Sequence, residues 1–293
     1  MKPLFLKKNL QSSTSSFLAL KTDVPFIYDK WHYHEELELL YVIRGTGSRF
    51  IGNSVKEFSH GDMVLVGSNL PHVWKNDKIY YEDEKTTASA VLLQFAPNLL
   101  DQSFLNLPEM TKIKKVLDDS QMGLKVNKKM VEIIAPLLDK LIIAKGPNRI
   151  IILLQVLNKI ASSEYELLSS QWFNKSYQGS KDKRINKVYD YIMNNFQKKI
   201  SLKDLAEVAN MNESALCRYF KSSTKKTITE FINEVRIGYA FNLMNTKDYS
   251  ISMACYESGF NNLSYFYRQF NKVMGYSPSH FSKKIKKRPH NKR

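Results

Sequence analysis

From about Phe26 to Phe95 the chain alternates short apolar runs with turn signals. Leu37–Ile43 is closed by Gly45-Thr46-Gly47, and Arg49–Ile51 by Gly52-Asn53-Ser54. His60-Gly61-Asp62 precedes Met63–Val66, Gly67-Ser68-Asn69 precedes Leu70, and Ala88–Phe95 is the last run. Short strands at near-regular spacing predict a sandwich or small barrel. After Pro97 the period lengthens. Leu124–Ala144 and Arg149–Leu168 carry apolar residues at helical spacing, Val131, Ile134, Leu138 and Leu141 in one and Ile150, Leu153, Leu157 and Ile160 in the other. Gly146-Pro147 separates them, so an antiparallel hairpin of helices is expected. Their apolar faces exceed what one small barrel needs, which leaves a dimer interface and simple packing against the barrel both open. Gln171–Asp182 is polar and aperiodic and reads as an interdomain linker.

The rest of the chain repeats itself. Leu202-x2-Leu205-Ala206-x2-Ala209-Asn210-Met211 aligns with Ile251-x2-Ala254-Cys255-x2-Ser258-Gly259-Phe260 at an offset of 49, and Leu216–Phe220 aligns with Phe266–Phe270 at an offset of 50. Each copy predicts a short helix, a turn and a second helix, with Asn210 and Gly259 at turns that call for left-handed backbone. Ser201-x2-Asp204 and Thr227-x2-Glu230 fit capping boxes, and Ser250 and Asn262 can cap. Thr229–Met244 reads as a connecting helix of about 16 residues, roughly 24 Å long.

Charge separates the two parts. Of 293 residues, 44 are Lys or Arg and 28 Asp or Glu, a net +16. Residues 1–179 hold 22 basic and 19 acidic side chains, whereas residues 180–293 hold 22 and 9. A strongly basic segment joined to a near-neutral one points to a polyanion partner, nucleic acid ahead of an anionic membrane surface, against the plainer reading of a solvated basic surface. Hydrophobic residues at 43% exclude global disorder. No run of 18 apolar residues exists, the first residues lack a signal-peptide core, and Cys217 and Cys255 both sit in helical patterns. A reducing cytoplasm is therefore expected, without a disulfide framework. The fold class is α+β, in four segments: a barrel over 1–99, a helical hairpin over 100–170, a linker over 171–182 and a helical domain over 183–293.

One constellation in the barrel could carry metal chemistry. His32, His34 and Glu38 occupy even positions, so on one strand all three share a face, and His72 adds a third imidazole. Three imidazoles and a carboxylate suit a divalent metal with positions left open. The spacing His32-x-His34-x3-Glu38-x6-Gly45, then Gly61-x10-His72-x3-Asn76, resembles the cupin superfamily, a double-stranded β-helix. Gly67 and Asn69 depart from the usual second motif. The resemblance implies His32, His34, Glu38 and His72 as metal ligands, or a metal-free ligand pocket that these residues form with Trp31 and Trp74. Trp31, Tyr33 and Trp74 suit a sugar face and are equally ordinary barrel filling. No separate base or nucleophile signature accompanies them.

The second part resembles the DNA-binding domain of the AraC/XylS family of transcription regulators, from about Arg184 to Ile285. The match is carried by Ile251–Asn262, then Ser264-Tyr265-Phe266-x-Arg268-x-Phe270, Lys272, Gly275 and Ser277-Pro278. The resemblance implies two helix-turn-helix units whose second helices enter the major groove, spaced by the connecting helix about one turn of DNA apart, roughly 34 Å. It implies base or phosphate contacts from Ser214, Cys217, Arg218 and Lys221 in one copy and Ser264, Tyr267, Arg268 and Asn271 in the other, above buried Leu216, Phe220, Phe266 and Phe270. A surface ion pair competes for each arginine, and a capping role for each serine. Lys203, Lys225, Lys226, Lys247 and Lys272 are expected on phosphate or in solvent, and Lys283–Arg293 as a basic tail. The expected protein is a small-molecule-controlled regulator, an activator rather than a repressor and not an enzyme, with double-stranded DNA, an effector, RNA polymerase and a second copy of itself as partners. A metal-dependent cupin enzyme with an accessory nucleic-acid-binding domain is the alternative.

Overall fold

The computed structural model describes residues 4–5, 15–170, 173, 183–224, 226–245 and 249–281. The expected linker (Phe173 apart), Lys225, Lys247 and the run 283–293 lie outside the described residues. The chain divides into two compact units, residues 3–179 and 180–293.

The first unit is a barrel of two sheets. One is ordered β1 (Leu4–Phe5), β3 (His32–Tyr33), β8 (His72–Asn76), β5 (Gly47–Ile51), β6 (Ser54–Phe58). The other is ordered β11 (Tyr165–Leu167), β10 (Leu124–Val126), β7 (Met63–Val66), β4 (Leu37–Arg44), β9 (Ala88–Phe95), β2 (Leu18–Val24). The sequence pattern missed β2, which pairs antiparallel with β9 over its whole length, because its half-exposed edge position leaves no continuous apolar run. β4 and β9 are buried on both faces. Leu37, Leu39, Val91, Leu93 and Phe95 face a core shared with the helices, while Glu38, Leu40, Ala90 and Leu92 face a cavity inside the barrel.

Two helices, Lys128–Ile143 and Pro147–Ala161, cover the outer face of the second sheet. Val131, Ile134, Leu138 and Leu141 join Leu153, Val156, Leu157 and Ile160 in that core, all nearly inaccessible. Packing on the barrel therefore absorbs the main apolar stripe of each helix. Truncating one such buried aliphatic to Ala typically costs about 2–5 kcal/mol. The helical expectation was too long at both ends. Leu124–Val126 pairs with β7, and Tyr165–Leu167 pairs with Leu124–Val126, so these flanks are strands. Arg49, 2% exposed, is ion-paired with Asp62, which also takes Lys125 at 2.9 Å. A buried pair of this kind ties β5 to the segment before β7, and removing one partner would leave an uncompensated charge.

Among the described residues of the second unit the elements are all helices, with Lys183–Asn195 leading into the first helix-turn-helix, Leu202–Ala209 and Glu213–Thr224. Ile228–Asn245 connects it to the second, Ile251–Glu257 and Leu263–Met274. The connecting helix has 18 residues, roughly 27 Å, and buries Phe231, Val235, Ile237 and Ala240. All four expected caps form. Ser201 and Asp204 bond reciprocally, as do Thr227 and Glu230; Ser250 accepts from Met253 N–H and Asn262 from Tyr265 N–H. Asn210 and Gly259 take positive φ, 53° and 89°. At Gly259 a Cβ would stand 2.5 Å from the Phe196 carbonyl oxygen. Gly259→Ala should therefore lower stability by more than about 1 kcal/mol and reduce DNA affinity with it, whereas Asn210→Gly should change stability little; thermal melts of the two variants check this.

Candidate functional site

The histidines and Glu38 meet by a route other than the expected one. β3 ends at Tyr33, the chain bends at Glu35-Glu36, and β4 begins at Leu37. His32 therefore stands on one sheet and Glu38 on the other, rather than along a single strand. His72 pairs directly with His32. The bend brings His34 inward, and the candidate ligand atoms of all four buried residues lie within 4.8 Å of one another.

Local backbone contacts set the direction of each ring. His32, His34 and His72 each donate Nδ1–H to a carbonyl two residues away, on Lys30 at 2.7 Å, Glu36 at 3.0 Å and Leu70 at 2.7 Å. Each Nε2 then faces the cluster with a lone pair, the arrangement that metal-binding imidazoles use. His34 Nε2 lies 3.1 Å from Glu38 Oε2 and His72 Nε2 lies 3.6 Å from Glu38 Oε1. His72 Nε2 is buried without a hydrogen-bond partner among the described residues. Burial alone would raise the Glu38 pKa, but its imidazole neighbours His34 and His72 hold it well below the usual carboxylate range. Burial, with His72 nearby, pushes His32 down to about 3, so that ring is neutral. Inward lone pairs around an ionised carboxylate call for a proton or a cation among them. The donor set fits a divalent first-row metal, held by His32, His34, Glu38 and His72 with coordination positions left open.

Gln94, fully buried on β9 opposite Glu38, donates to the Glu38 carboxylate and lies 3.4 Å from His34 Nε2. Sequence reasoning missed it; the cross-strand register that reveals it is not visible in a linear pattern. Above the cluster opens a cavity of about 440 Å³. His32, Glu38 and Trp74 line it as expected, while His34 and His72 lie in the cluster but outside the lining. Trp31 does not line it, a correction to its expected contact with ligand: it is buried, 4% exposed, outside the cavity wall. Tyr33 is likewise not in the wall. Thr22, Val24, Phe26, Ile27, Tyr28, Leu40, Ala90 and Leu92 were not anticipated. Alternation along β4 and β9 from Glu38 could have found Leu40 and Leu92.

In the second unit, the second helix of each pair presents the expected face. Ser214, Cys217, Arg218 and Lys221 are exposed, as are Ser264, Arg268 and Asn271, while Leu216, Phe220, Phe266 and Phe270 are buried beneath them. Tyr267 is half-buried, its hydroxyl 3.1 Å from Ser279 Oγ. Asn212 and Asn262 accept from the N–H groups of Ala215 and Tyr265, so the capping role falls to them and leaves both serine hydroxyls outward. Among the described residues no carboxylate pairs with Arg218 or Arg268; Arg268 lies over the Tyr265 ring at 5.2 Å. Lys226 is bonded to both oxygens of Glu234 at 2.7 Å, and Lys272 lies 3.1 Å from Glu230, so these two are engaged within the fold rather than free in solvent.

Comparison with known proteins agrees with this geometry. A family profile described as a helix-turn-helix domain matches residues 205–284, and one described as a cupin domain matches residues 26–78. The HTH-type transcriptional regulator YdeC of Bacillus subtilis is 22% identical over 271 residues, 87% of either chain. The HTH-type transcriptional activator RhaS of Mannheimia succiniciproducens is 25% identical over 258 residues, 84% of this chain and 87% of that one. The melibiose operon regulatory protein of Escherichia coli is 22% identical over 291 residues, 96% of this chain and 91% of that one. The chain thus carries a cupin domain followed by a helix-turn-helix domain and is similar over most of its length to transcription regulators. The cupin barrel holds the only His/Glu cluster of metal-binding geometry among the described residues. No described helix is long and apolar enough to cross a membrane.

Two measurements test the cluster. Protein expressed with added metal should carry about one divalent ion per chain, lost in His34→Ala; elemental analysis finding none would remove metal from the barrel. In metal-stripped protein, His32 binds a proton when unfolded (6.5) but not when folded, down to about 3. The unfolded chain thus holds more protons in that window, and stability falls as pH drops below 6.5 and is unaffected by His32 above it. At pH 5 the loss should be about 2 kcal/mol, and denaturant titrations of His32→Gln should show it flattened.

Proposed function

We propose that a small molecule seated in the barrel controls how the basic unit engages an operator, and that the outcome is activation of transcription. The observation that carries the reading is the pair of exposed faces, Ser214, Cys217, Arg218, Lys221 and Ser264, Tyr267, Arg268, Asn271, each above a buried apolar row. Arginine can bond guanine O6 and N7 together, serine serves several bases, and Cys217 and Tyr267 can contact a thymine methyl. Arg218 and Arg268, without carboxylate partners among the described residues, are the main readers. Lys203 and Lys221 serve phosphate better than Lys226 and Lys272, which carboxylates already hold.

In the barrel, His32, Glu38 and Trp74 contact the ligand. A divalent metal held by His32, His34, Glu38 and His72 would supply a Lewis-acidic anchor for one ligand atom. The ligand can move the equilibrium of the DNA-binding unit only by as much as it binds one arrangement better than the other. Ile133, Ile143 and Ile151 remain 49%, 79% and 50% exposed on the helical hairpin and offer a second copy of the chain an apolar surface. A homodimer, contact with RNA polymerase and a cytoplasmic location complete the reading. Relatives spanning most of the chain are regulators, one of them named an activator, which favours this over a cupin enzyme with an accessory domain.

Arg218→Ala and Arg268→Ala should each cost about 1–3 kcal/mol of operator affinity, concentrated at one base position. Footprinting on selected genomic fragments measures it. Unchanged affinity and site preference in either variant would take that helix out of the groove.

A further inference from the structure

The inner wall of the barrel changes character over a single step along its strands. Glu38, paired across strands with the buried Gln94, forms the polar floor together with His32. The next inward pair is Leu40 with Leu92, and beyond it Ala90 pairs with Thr22. Each step is two residues, about 7 Å along the strand. Trp74 stands two residues from His72 on the same face of β8 and also lines the cavity. Above the floor the wall is thus hydrocarbon and aromatic on the sides that Leu40, Leu92 and Trp74 occupy. Among the described residues the lining includes no lysine or arginine, and its hydroxyls are only those of Thr22 and Tyr28.

A ring of hydroxyls would match this wall poorly. Each hydroxyl buried without a partner costs about 1–3 kcal/mol, and a monosaccharide carries them on every edge. A molecule with one polar end loses nothing there. We propose that the effector is a slender, mainly hydrocarbon molecule with its polar atoms at one end, the head against His32 and Glu38 and the body along Leu40, Leu92 and Trp74. This deepens the proposed function and rests on its assignment of the barrel as the effector site. The floor also decides the head. With a metal in the cluster, the head is an anionic oxygen group; without one, Glu38 and the inward lone pairs take an ammonium.

The test uses the full chain, titrated by calorimetry with phenylbutyrate, phenylbutylamine and phenylbutanol, and with glucose and galactose, in metal-loaded and metal-stripped form. At least one phenylbutyl compound should bind about 100-fold more tightly than either sugar, the carboxylate leading in loaded protein and the amine in stripped protein. Leu92→Asn should weaken that compound by about tenfold or more. Leu92→Phe keeps the wall apolar, shortens the cavity, and should move preference toward phenylacetate or phenethylamine. A sugar binding as tightly as every phenylbutyl compound, or silence of the whole phenylbutyl series, overturns the proposal. Operator binding of the same preparation separates the two readings. Silent ligands with intact DNA binding sink the effector class alone, and ligand binding without any sequence preference sinks the regulator while the pocket chemistry stands.

Discussion

A lone pair buried away from water must face a proton or a cation, and inside the barrel several face one another. Backbone carbonyls take the Nδ1–H of His32, His34 and His72, which leaves each Nε2 pointing at the same small volume beside the Glu38 carboxylate. The carbonyls are two residues away in every case, so the ring directions follow from local chain geometry. Glu38 and His32 come from different sheets, and whatever satisfies the cluster also holds those sheets face to face. The cavity above inherits its polarity from this: one end is fixed by charge, and the remainder is mostly apolar, with Thr22, Tyr28 and Trp74 its polar exceptions.

The second unit obeys a different constraint. Two helices can cross closely only where small residues stand at the contact, and the turn between them must allow positive φ. Ala206 and Cys255 are buried at equivalent places, and Asn210 and Gly259 take the turns. Burial raises the Cys255 thiol to about 11, which leaves it an inert packing group, while Cys217 lies exposed on the second helix of the first pair. Beyond packing, the connecting helix is tied to the second pair by polar contacts. Asn233 donates to Tyr265 Oη at 2.8 Å, and Glu230, a cap residue, holds Lys272. One carboxylate thus ends a helix and braces a neighbour.

Much of this was legible before any coordinates. The repeat, its caps and its buried rows are local, and short-range rules decide them: Ser201 with Asp204, Asn262 with Tyr265, Phe266 with Phe270. The four cluster residues were also visible, because imidazoles at such spacing are rare. What escaped notice depends on pairing between distant segments. Gln94 matters because the register of β4 and β9 sets it opposite Glu38. Leu18–Val24 is an edge strand whose partner lies some seventy residues on. Leu124–Val126 and Tyr165–Leu167 carry helix-compatible apolar spacing, yet the sheet edge claims them. Trp31 was expected in the pocket because of its residue type, and only the chain's path shows it turned aside from the cavity.

The alternation of β4 and β9 has an evolutionary consequence. Leu39, Val91 and Leu93 rest against the helical hairpin, while Leu40, Ala90 and Leu92 look into the cavity. Neighbouring positions along one strand thus answer to separate selective pressures, one for folding and one for chemical taste. Descendants of this chain can exchange the second set and acquire a new inducer while the supporting layer stays as it is.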